Sequence, residues 1–366
     1  MLQRYDFIRY LCNPFYPSYL MRLLRHILFL VNLVFAVLLL LSTMAGVVAP
    51  SRFAGLSLLS YAFLPLLIIN VLFAIFWLCF MRWQCLLSIV VIAVRLNYVL
   101  LSFQIGGTSE AKVEEGVNVL KVMSFNTHAF LGRDGDMKYA EGAAQFIDIV
   151  RQQQPDIICL QEYNVGKRYK TSDTLIAMGY KYYSKKQMYG DICFSRYPIT
   201  KSKNLGSNSR IFADVNVDGK KIRIVGLHLG SYHLNSDDLV TMGEVVKGKA
   251  DNEALTIAGK LKRAVIKHES EWNDFILPMV SSYEGSMIMV GDFNDIPTSY
   301  LHSQVRKYMV DTYTEHGSGL GTTYHGDFPV YRIDYIFHTR DLQSLSYQRI
   351  KTDISDHYPI FAEFRL

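Results

Sequence analysis

The chain has 366 residues, half of them hydrophobic, which is more than one typical domain and compatible with two. Its net charge of +5 is unevenly placed: residues 1–104 hold seven arginines, no lysine and a single acid, Asp6, while the remainder balances 31 basic against 32 acidic side chains. The basic excess therefore points to a membrane flank rather than a nucleic-acid surface, and five cysteines without a Cys-x-x-Cys pair argue against a disulfide framework and a structural zinc site.

Three apolar runs come first. Residues 27–48 carry no charge, and about 20 such residues cross a hydrocarbon core. Residues 56–80 form a second uncharged run, in which Pro65 is expected to kink a helix. Residues 84–103 form a third, interrupted by Arg95, which is costly at mid-depth unless it pairs or reaches the interface. A cleaved signal peptide does not fit the length of the first run or the two that follow it. An interfacial helix is the alternative for the third. Arg4, Arg9, Arg22 and Arg25 precede the first run and place the N-terminus in the cytoplasm. Three spans then put everything after about residue 105 outside, whereas two would leave it inside. The acidic flank GGTSEAKVEEG favours outside. The expectation is an integral, multi-pass membrane protein in contact with the lipid bilayer and without an obligate protein partner. Its N-terminal region would be 1–104, with a linker over 105–118 and a catalytic domain over 119–366.

After the linker, strand and helix patterns mix. VLKVMSFNTHAF starts as a strand and ends in polar residues. Ala143, Phe146, Ile147 and Val150 then lie at helical spacing, and Pro155 closes that helix. IICLQEY, DICFSRYPI, IRIVGLHLG, SMIMVGDFND and RIDYIFHT repeat the apolar strand with polar residues at its exit. SDHYPIFAEFRL reverses the order. Residues 252–277 form a long helical candidate ahead of the MIMVGDFND strand. Such a mixture suggests an α/β fold with two sheets, or one mixed sheet, covered by helices.

One kind of chemistry collects at the strand ends. Asn126, Glu162, His228, Asp292, Asn294 and Asp334 follow or end apolar runs, and Asp356 and His357 precede the last. Carboxylates and amides suit a hard cation such as Mg2+, Mn2+ or Ca2+. Imidazoles beside it suit proton transfer and oxyanion stabilisation. There is no convincing serine or cysteine nucleophile motif and no glycine-rich phosphate loop. Together these residues suit metal-assisted hydrolysis of a phosphate ester. Each signal alone has a plainer explanation: Gly-Asp-Phe-Asn and Asp-His-Tyr-Pro as turns, Glu162 as a solvated carboxylate, His228 as a core imidazole.

The segments MSFNTH, PDIICLQE, ICFSRYPI, GLHL, VGDFND, RIDYIF and SDHYPI, in this order from about Lys121 to Leu366, resemble the endonuclease/exonuclease/phosphatase superfamily. The resemblance implies a four-layer sandwich of two packed mixed β-sheets flanked by helices, here preceded by about three transmembrane helices. It also implies roles. Glu162 would be the main metal carboxylate, Asn126 a metal-shell or phosphate-orienting amide, and Asp356 an addition to the metal shell. Asp292 would activate the attacking water, Asn294 would hold the phosphate and His357 would stabilise its developing charge. Asp334 would fix the tautomer of His357, and His228 would act on the leaving group or a phosphate oxygen. His128 stands where the apurinic-endonuclease branch has an acid, which moves this chain away from that branch. His128 and Arg196, the latter in ICFSRYPI, are candidate substrate contacts. Asp295 reads as a turn residue before Pro297.

The substrate is less legible. The implied partner is a phosphate ester, as a nuclease acting on DNA or RNA outside the cytoplasm or as a sphingomyelinase-like hydrolase of phospholipid headgroups. A non-catalytic, membrane-tethered binding module is the alternative from another class. The near-neutral domain lacks the overall basic charge of a non-specific nuclease, and its local clusters, GKRYK, KYYSKK and KLKR, read first as solvated surface.

Overall fold

The computed structural model describes residues 15–107, 116–164, 170–184, 189–205, 210–232, 251–326 and 331–366. Arg4, Arg9, much of the expected linker, most of GKRYK, Lys185, Lys186 and residues 233–250 lie outside the described residues.

The N-terminal region contains α1 (Phe15–Thr43), α2 (Pro50–Ser60), α3 (Phe63–Cys79), α4 (Cys85–Val94) and α5 (Leu96–Ser102). One continuous helical stretch, Tyr19–Gly46, is long and apolar enough to cross a membrane. The other two expected spans are broken: α2 and α3 meet at 51°, and α4 and α5 at 68°. The expected three spans are thus one unbroken helix, or up to three if each bent pair counts as one. The first break falls at Tyr61–Ala62 rather than at Pro65. Pro65 lies in the first turn of α3, where its missing N–H has no intrahelical acceptor to lose. Arg95 sits at the second break, in cap geometry between α4 and α5, instead of inside a continuous helix. Buried polar contacts join the helices: Ser88 Oγ donates to Asn32 Oδ1 at 2.8 Å, and Asn70 Nδ2 to the Phe35 carbonyl at 3.1 Å. Away from water such bonds hold apolar helices in one register.

The remaining elements begin with β1 (Val119–Asn126), α6 (Tyr139–Gln153), β2 (Ile157–Asn164), α7 (Thr171–Ala177), β3 (Tyr182–Tyr183) and β4 (Tyr189–Ser195). Next come β5 (Ile199–Asn204), β6 (Arg210–Val217), β7 (Lys220–His228), α8 (Asp251–Glu271), α9 (Leu277–Ser282) and β8 (Ser286–Asp292). The last are α10 (Tyr300–Val305), β9 (Val310–Asp311), α11 (Thr312–His316), β10 (Asp334–His338), β11 (Gln343–Arg349) and β12 (Ile360–Arg365). They form two six-stranded mixed sheets, ordered β11-β12-β1-β2-β4-β3 and β5-β6-β7-β8-β10-β9. In each sheet the central pair is parallel, β1 with β2 and β7 with β8, and the other pairs are antiparallel.

Side-chain alternation builds the layers. Leu120 and Val122 of β1 face the core between the sheets, together with Ile288 and Val290 of β8. Met123 and Phe125 face outward onto Phe146, Ile147 and Val150 of α6. Met287 and Met289 face outward onto Leu301 and Val305 of α10 and onto Trp272 and Ile276 between α8 and α9. The result is four layers: helices, sheet, sheet, helices. Cys159 and Cys193, opposite each other in the β2–β4 pairing, are buried free thiols of the central core.

Candidate active site

The two parallel strand pairs end at one rim, and that is why residues more than 200 positions apart meet there. β1 delivers Asn126, β2 Glu162, β7 His228 and β8 Asp292. In the second sheet Asp292 pairs with His228 on one side and with Asp334, the first residue of β10, on the other. Across from them, Ser355 Oγ donates to the Asn126 carbonyl at 2.8 Å and accepts from His357 N–H at 3.1 Å, which brings in the segment before β12.

The backbone at this rim is specialised. Gly291 has φ 137°, and a Cβ placed there would lie 1.9 Å from the Leu227 carbonyl oxygen. The glycine of GDFN therefore permits close approach of β7 inside the sheet; the segment is not a simple turn. Glu162 and Asn294 both have φ of 50°, sparsely populated for residues other than glycine. Glu162 lies in the irregularity of the β2–β4 pairing between Leu160 and Tyr163, which re-aims its side chain toward the cleft.

Asp292 is the hub. Its Oδ1 accepts from Asn294 N–H at 2.8 Å, and its Oδ2 from Asn126 Nδ2 at 3.0 Å and Asn294 Nδ2 at 3.2 Å. Asn126 Nδ2 also lies 3.4 Å from Glu162 Oε1. His228 Nε2 is 3.6 Å from Glu162 Oε1 and 3.8 Å from Asp292 Oδ2. His357 Nδ1 bonds Asp334 Oδ2 at 2.9 Å, and its Nε2 points at Asp292 Oδ2 from 3.7 Å. Asp334 and Ile333 donate their N–H groups to Thr323 Oγ1, each at 3.0 Å, which fixes the strand start.

Electrostatics follow from this burial. Desolvation pushes the Asp292 carboxyl up to about 6, and Asp334 adds to the rise, while His357, His228 and the Asn294 N–H oppose it. Burial works against a charged His357, but Asp334 and Asp292 outweigh it and hold the imidazole protonated well above its ordinary value. The site thus holds a buried imidazolium between two acids.

Other expected residues are placed differently. Asp356 lies beside His128 at the cleft edge, with Oδ1 3.3 Å from Nδ1, close enough to attract but not aligned as a hydrogen bond. Asn294 spends its Nδ2 on the Leu229 carbonyl at 3.0 Å and on Asp292, so it braces the neighbouring carboxylate. Arg196 is not at the site. β4 runs antiparallel to β2, so the residue after its end arrives at the opposite rim, where Arg196 donates its N–H to the Asp156 carbonyl and lies 4.9 Å from the Tyr180 ring. Asp295 does cap Ile296 N–H at 2.9 Å, but it is also a buried acceptor for Tyr61, Tyr232 and His268.

Asp191 was not among the expected residues. It is buried in β4, neither carboxylate oxygen has a hydrogen-bond partner among the described residues, and burial followed by the charges of Asp292 and Glu162 raises its pKa well above the usual range. Its signal in the sequence is an acid inside an otherwise apolar strand, YGDICF. Asp292, Asp334 and His357 each present a ligand atom within 4.8 Å of the others. Among the described residues no lysine or arginine ion-pairs with Glu162, Asp292, Asp334 or Asp356. Clustered carboxylates without a lysine or arginine partner leave negative charge for a divalent cation, and hard oxygen donors suit Mg2+, Mn2+ or Ca2+.

Comparison with known proteins agrees with this chemistry. The Endonuclease/Exonuclease/phosphatase family matches residues 123–357, and a domain of unknown function (DUF8431) matches residues 25–101. No curated protein matches the chain. Similar solved structures include the human Nocturnin catalytic domain with bound sulfate anion, at 17% identity and TM-score 0.48, covering 67% of this chain and 94% of that one. TDP2 of D. rerio complexed with single-strand DNA product is similar at 15% identity and TM-score 0.47, covering 68% and 100%. An endonuclease/exonuclease/phosphatase from Beutenbergia cavernae is similar at 15% identity and TM-score 0.45, covering 68% and 72%. With more than half of its residues matched, the chain belongs to the endonuclease/exonuclease/phosphatase family and is a metal-dependent phosphoric ester hydrolase.

Proposed function

We propose that the chain is a membrane-anchored phosphodiesterase in which Asp292 activates water against a phosphate held by His357. The observation that carries this reading is the hydrogen-bonded Asp334–His357 pair, whose Nε2 is directed at Asp292 Oδ2 from 3.7 Å. Glu162, with Asn126 and Asp356, would hold a divalent cation, which would supply Lewis-acid polarisation of the phosphoryl oxygen.

The chain's own residues do the rest. Asp292, raised to about 6, is ionised at neutral pH yet basic enough to take a proton from water as the oxygen attacks phosphorus. Asn294 and Asn126 hold that carboxylate in one orientation. His357 donates Nε2–H to the phosphoryl oxygen as its charge grows, and Asp334 keeps the imidazole charged and aligned. His228, on the other side of Asp292, is placed to return a proton to the departing oxygen as the P–O bond breaks.

Anchoring rests on the apolar stretch Tyr19–Gly46. Arg22 and Arg25 at its start favour an N-terminus inside, and with each bent pair counted as one span the catalytic domain would lie outside. The site lies at the rim where the N-terminal helices pack, which favours a phospholipid headgroup over nucleic acid as the diester.

The test is Mg2+-dependent hydrolysis by the full chain in detergent, using bis(p-nitrophenyl) phosphate, phospholipid vesicles, DNA and RNA. Glu162→Ala and Asp292→Ala are expected to lower turnover by about 100-fold or more while the chain stays folded. Full activity in either variant would sink the mechanism. A reporter fused after Leu366 that works only in the cytoplasm would reject the orientation.

A further inference from the structure

The N-terminal helices touch the rest of the chain at a specific place. Tyr61, at the break between α2 and α3, donates its hydroxyl to Asp295 Oδ1 at 2.8 Å. Asp295 follows Asn294 directly and is three residues from Asp292. The hydroxyl of Tyr232 lies 3.3 Å from the same oxygen and also against that of Tyr61, so its one proton is shared between the two. The other oxygen of Asp295 lies 3.2 Å from Nδ1 of His268 on α8, whose Nε2 lies 2.7 Å from the Gly230 carbonyl. Asp295 is buried, so a single carboxylate ties the membrane-side break, the segment after β7 and α8 to the end of the GDFN segment.

A second attachment stands on the other active-site strand. Arg332, fully buried two residues before Asp334, makes a forked pair with Asp311 at 3.1 and 2.8 Å. Its Nη2 also donates to the Leu101 carbonyl of α5 at 3.0 Å. Between the two attachments, the Tyr331 hydroxyl donates to the Tyr61 carbonyl and Thr298 Oγ1 to the Ser60 carbonyl, both at 3.4 Å. Tyr335 closes the frame by donating its hydroxyl to the carbonyls of Asp295 and Arg332, each at 2.8 Å.

We propose that the apolar N-terminal region is a positioning element of the active site, with Tyr61 as its positioning residue acting through Asp295. The Asp292–Asn294 segment and the start of β10 carry the base and the acid that orients His357. Each is bonded, within three residues, to the broken helices, so their separation is set partly by a part of the chain outside the two sheets. A tether alone needs no such contacts, because a linker would serve. The breaks at Tyr61 and Arg95 are what turn α2 and α5 toward the rim. This inference rests on the proposed hydrolase reading for its consequence on rate, but not for its consequence on loop order.

The experiment uses the full chain in detergent micelles and Tyr61→Phe, which keeps the ring packed against Tyr232 and Tyr331 and removes only the hydroxyl. Two readouts are taken: kcat and KM for bis(p-nitrophenyl) phosphate with Mg2+, and hydrogen–deuterium exchange across 293–303. The expected result is a fall in kcat of about tenfold with KM within about twofold, because a small displacement of catalytic groups costs rate more than binding. Exchange at 293–299 rises while the strands of the first sheet stay protected. Tyr232→Phe, which removes the partner hydroxyl, is the second variant and is expected to act in the same direction. Ile68→Ala, on the exposed face of α3, leaves both readouts unchanged. Unchanged exchange in Tyr61→Phe overturns the inference, as does raised exchange with an unaltered kcat. If the wild-type chain itself hydrolyses nothing, the proposed function fails, and exchange alone decides the positioning role.

Discussion

At one rim of the sandwich, Asp218 and Gly219 take positive φ because the two-residue hairpin between β6 and β7 requires it. At the other rim, Glu162 and Asn294 take φ of 50° with no tight turn to demand it. The carboxylates differ in the same way. Asp156 at the far rim accepts the Lys121 N–H at 2.9 Å, and Asp214, on β6, is held by Arg223 at 2.7 and 3.0 Å. At the site rim Asp191 has no hydrogen-bond partner among the described residues and is buried near Asp292 and Glu162, and Asp292 is itself buried beside Asp334. Strain and uncompensated charge each cost stability of order 1–3 kcal/mol, so their collection at one rim marks where the chain serves chemistry instead of folding.

Substitutions at the two rims should therefore separate. The largest effect is expected from His357→Ala, which removes the buried imidazolium. Phosphodiester turnover should drop about 1,000-fold, the thermal midpoint should fall as well because Asp334 and Asp292 lose the cation between them, and a loss of turnover under tenfold would deny His357 its role. Gly291→Ala comes next. Its new Cβ meets the Leu227 carbonyl, and denaturant melts should show a loss of roughly 3 kcal/mol or more, from strain and the broken β7–β8 ladder. Asp292→Asn acts through pH. The native carboxyl, up at about 6, binds its proton more tightly than the ordinary 3.8 of an unfolded chain. Stability without metal therefore falls as pH rises from about 4 to 6, and above that range the ionised group costs about 3 kcal/mol at most. The Asn variant, melted in chelator, should exceed the wild type by about 1–3 kcal/mol at pH 7 and lose that advantage near pH 4. The smallest effect belongs to the far rim: Arg196→Ala gives up its stacking on Tyr180, about 1 kcal/mol or less, and should leave turnover within about twofold.

How much of this could be read in advance depends on the distance over which a residue's environment is set. The strands were legible because alternation and long apolar runs are local. β8 is buried along its whole length, as SMIMVGD suggests. Asn126, Glu162, His228, Asp292, Asn294, Asp334 and His357 follow from short motifs at strand ends, and parallel strand pairs carry four of them to one rim. Arg196 stands in an equally good motif, yet lies at the wrong end, because a motif does not record which way its strand runs in the sheet. Asp295 reads locally as a turn residue and does cap Ile296, but its other partners come from positions 61, 232 and 268.

Composition alone separated an apolar, arginine-flanked region from a near-neutral domain, because hydropathy and charge are sums over local sequence. Motif order alone identified a phosphate-ester chemistry, because the reaction needs particular side chains whatever surrounds them. Tertiary structure decided where the apolar runs break, why Gly291 must be glycine, which acids are left without partners and how Tyr61 and Leu101 reach the active-site strands. Those outcomes depend on close approach and desolvation between segments distant in the chain, and neither quantity is a property of a local stretch of sequence.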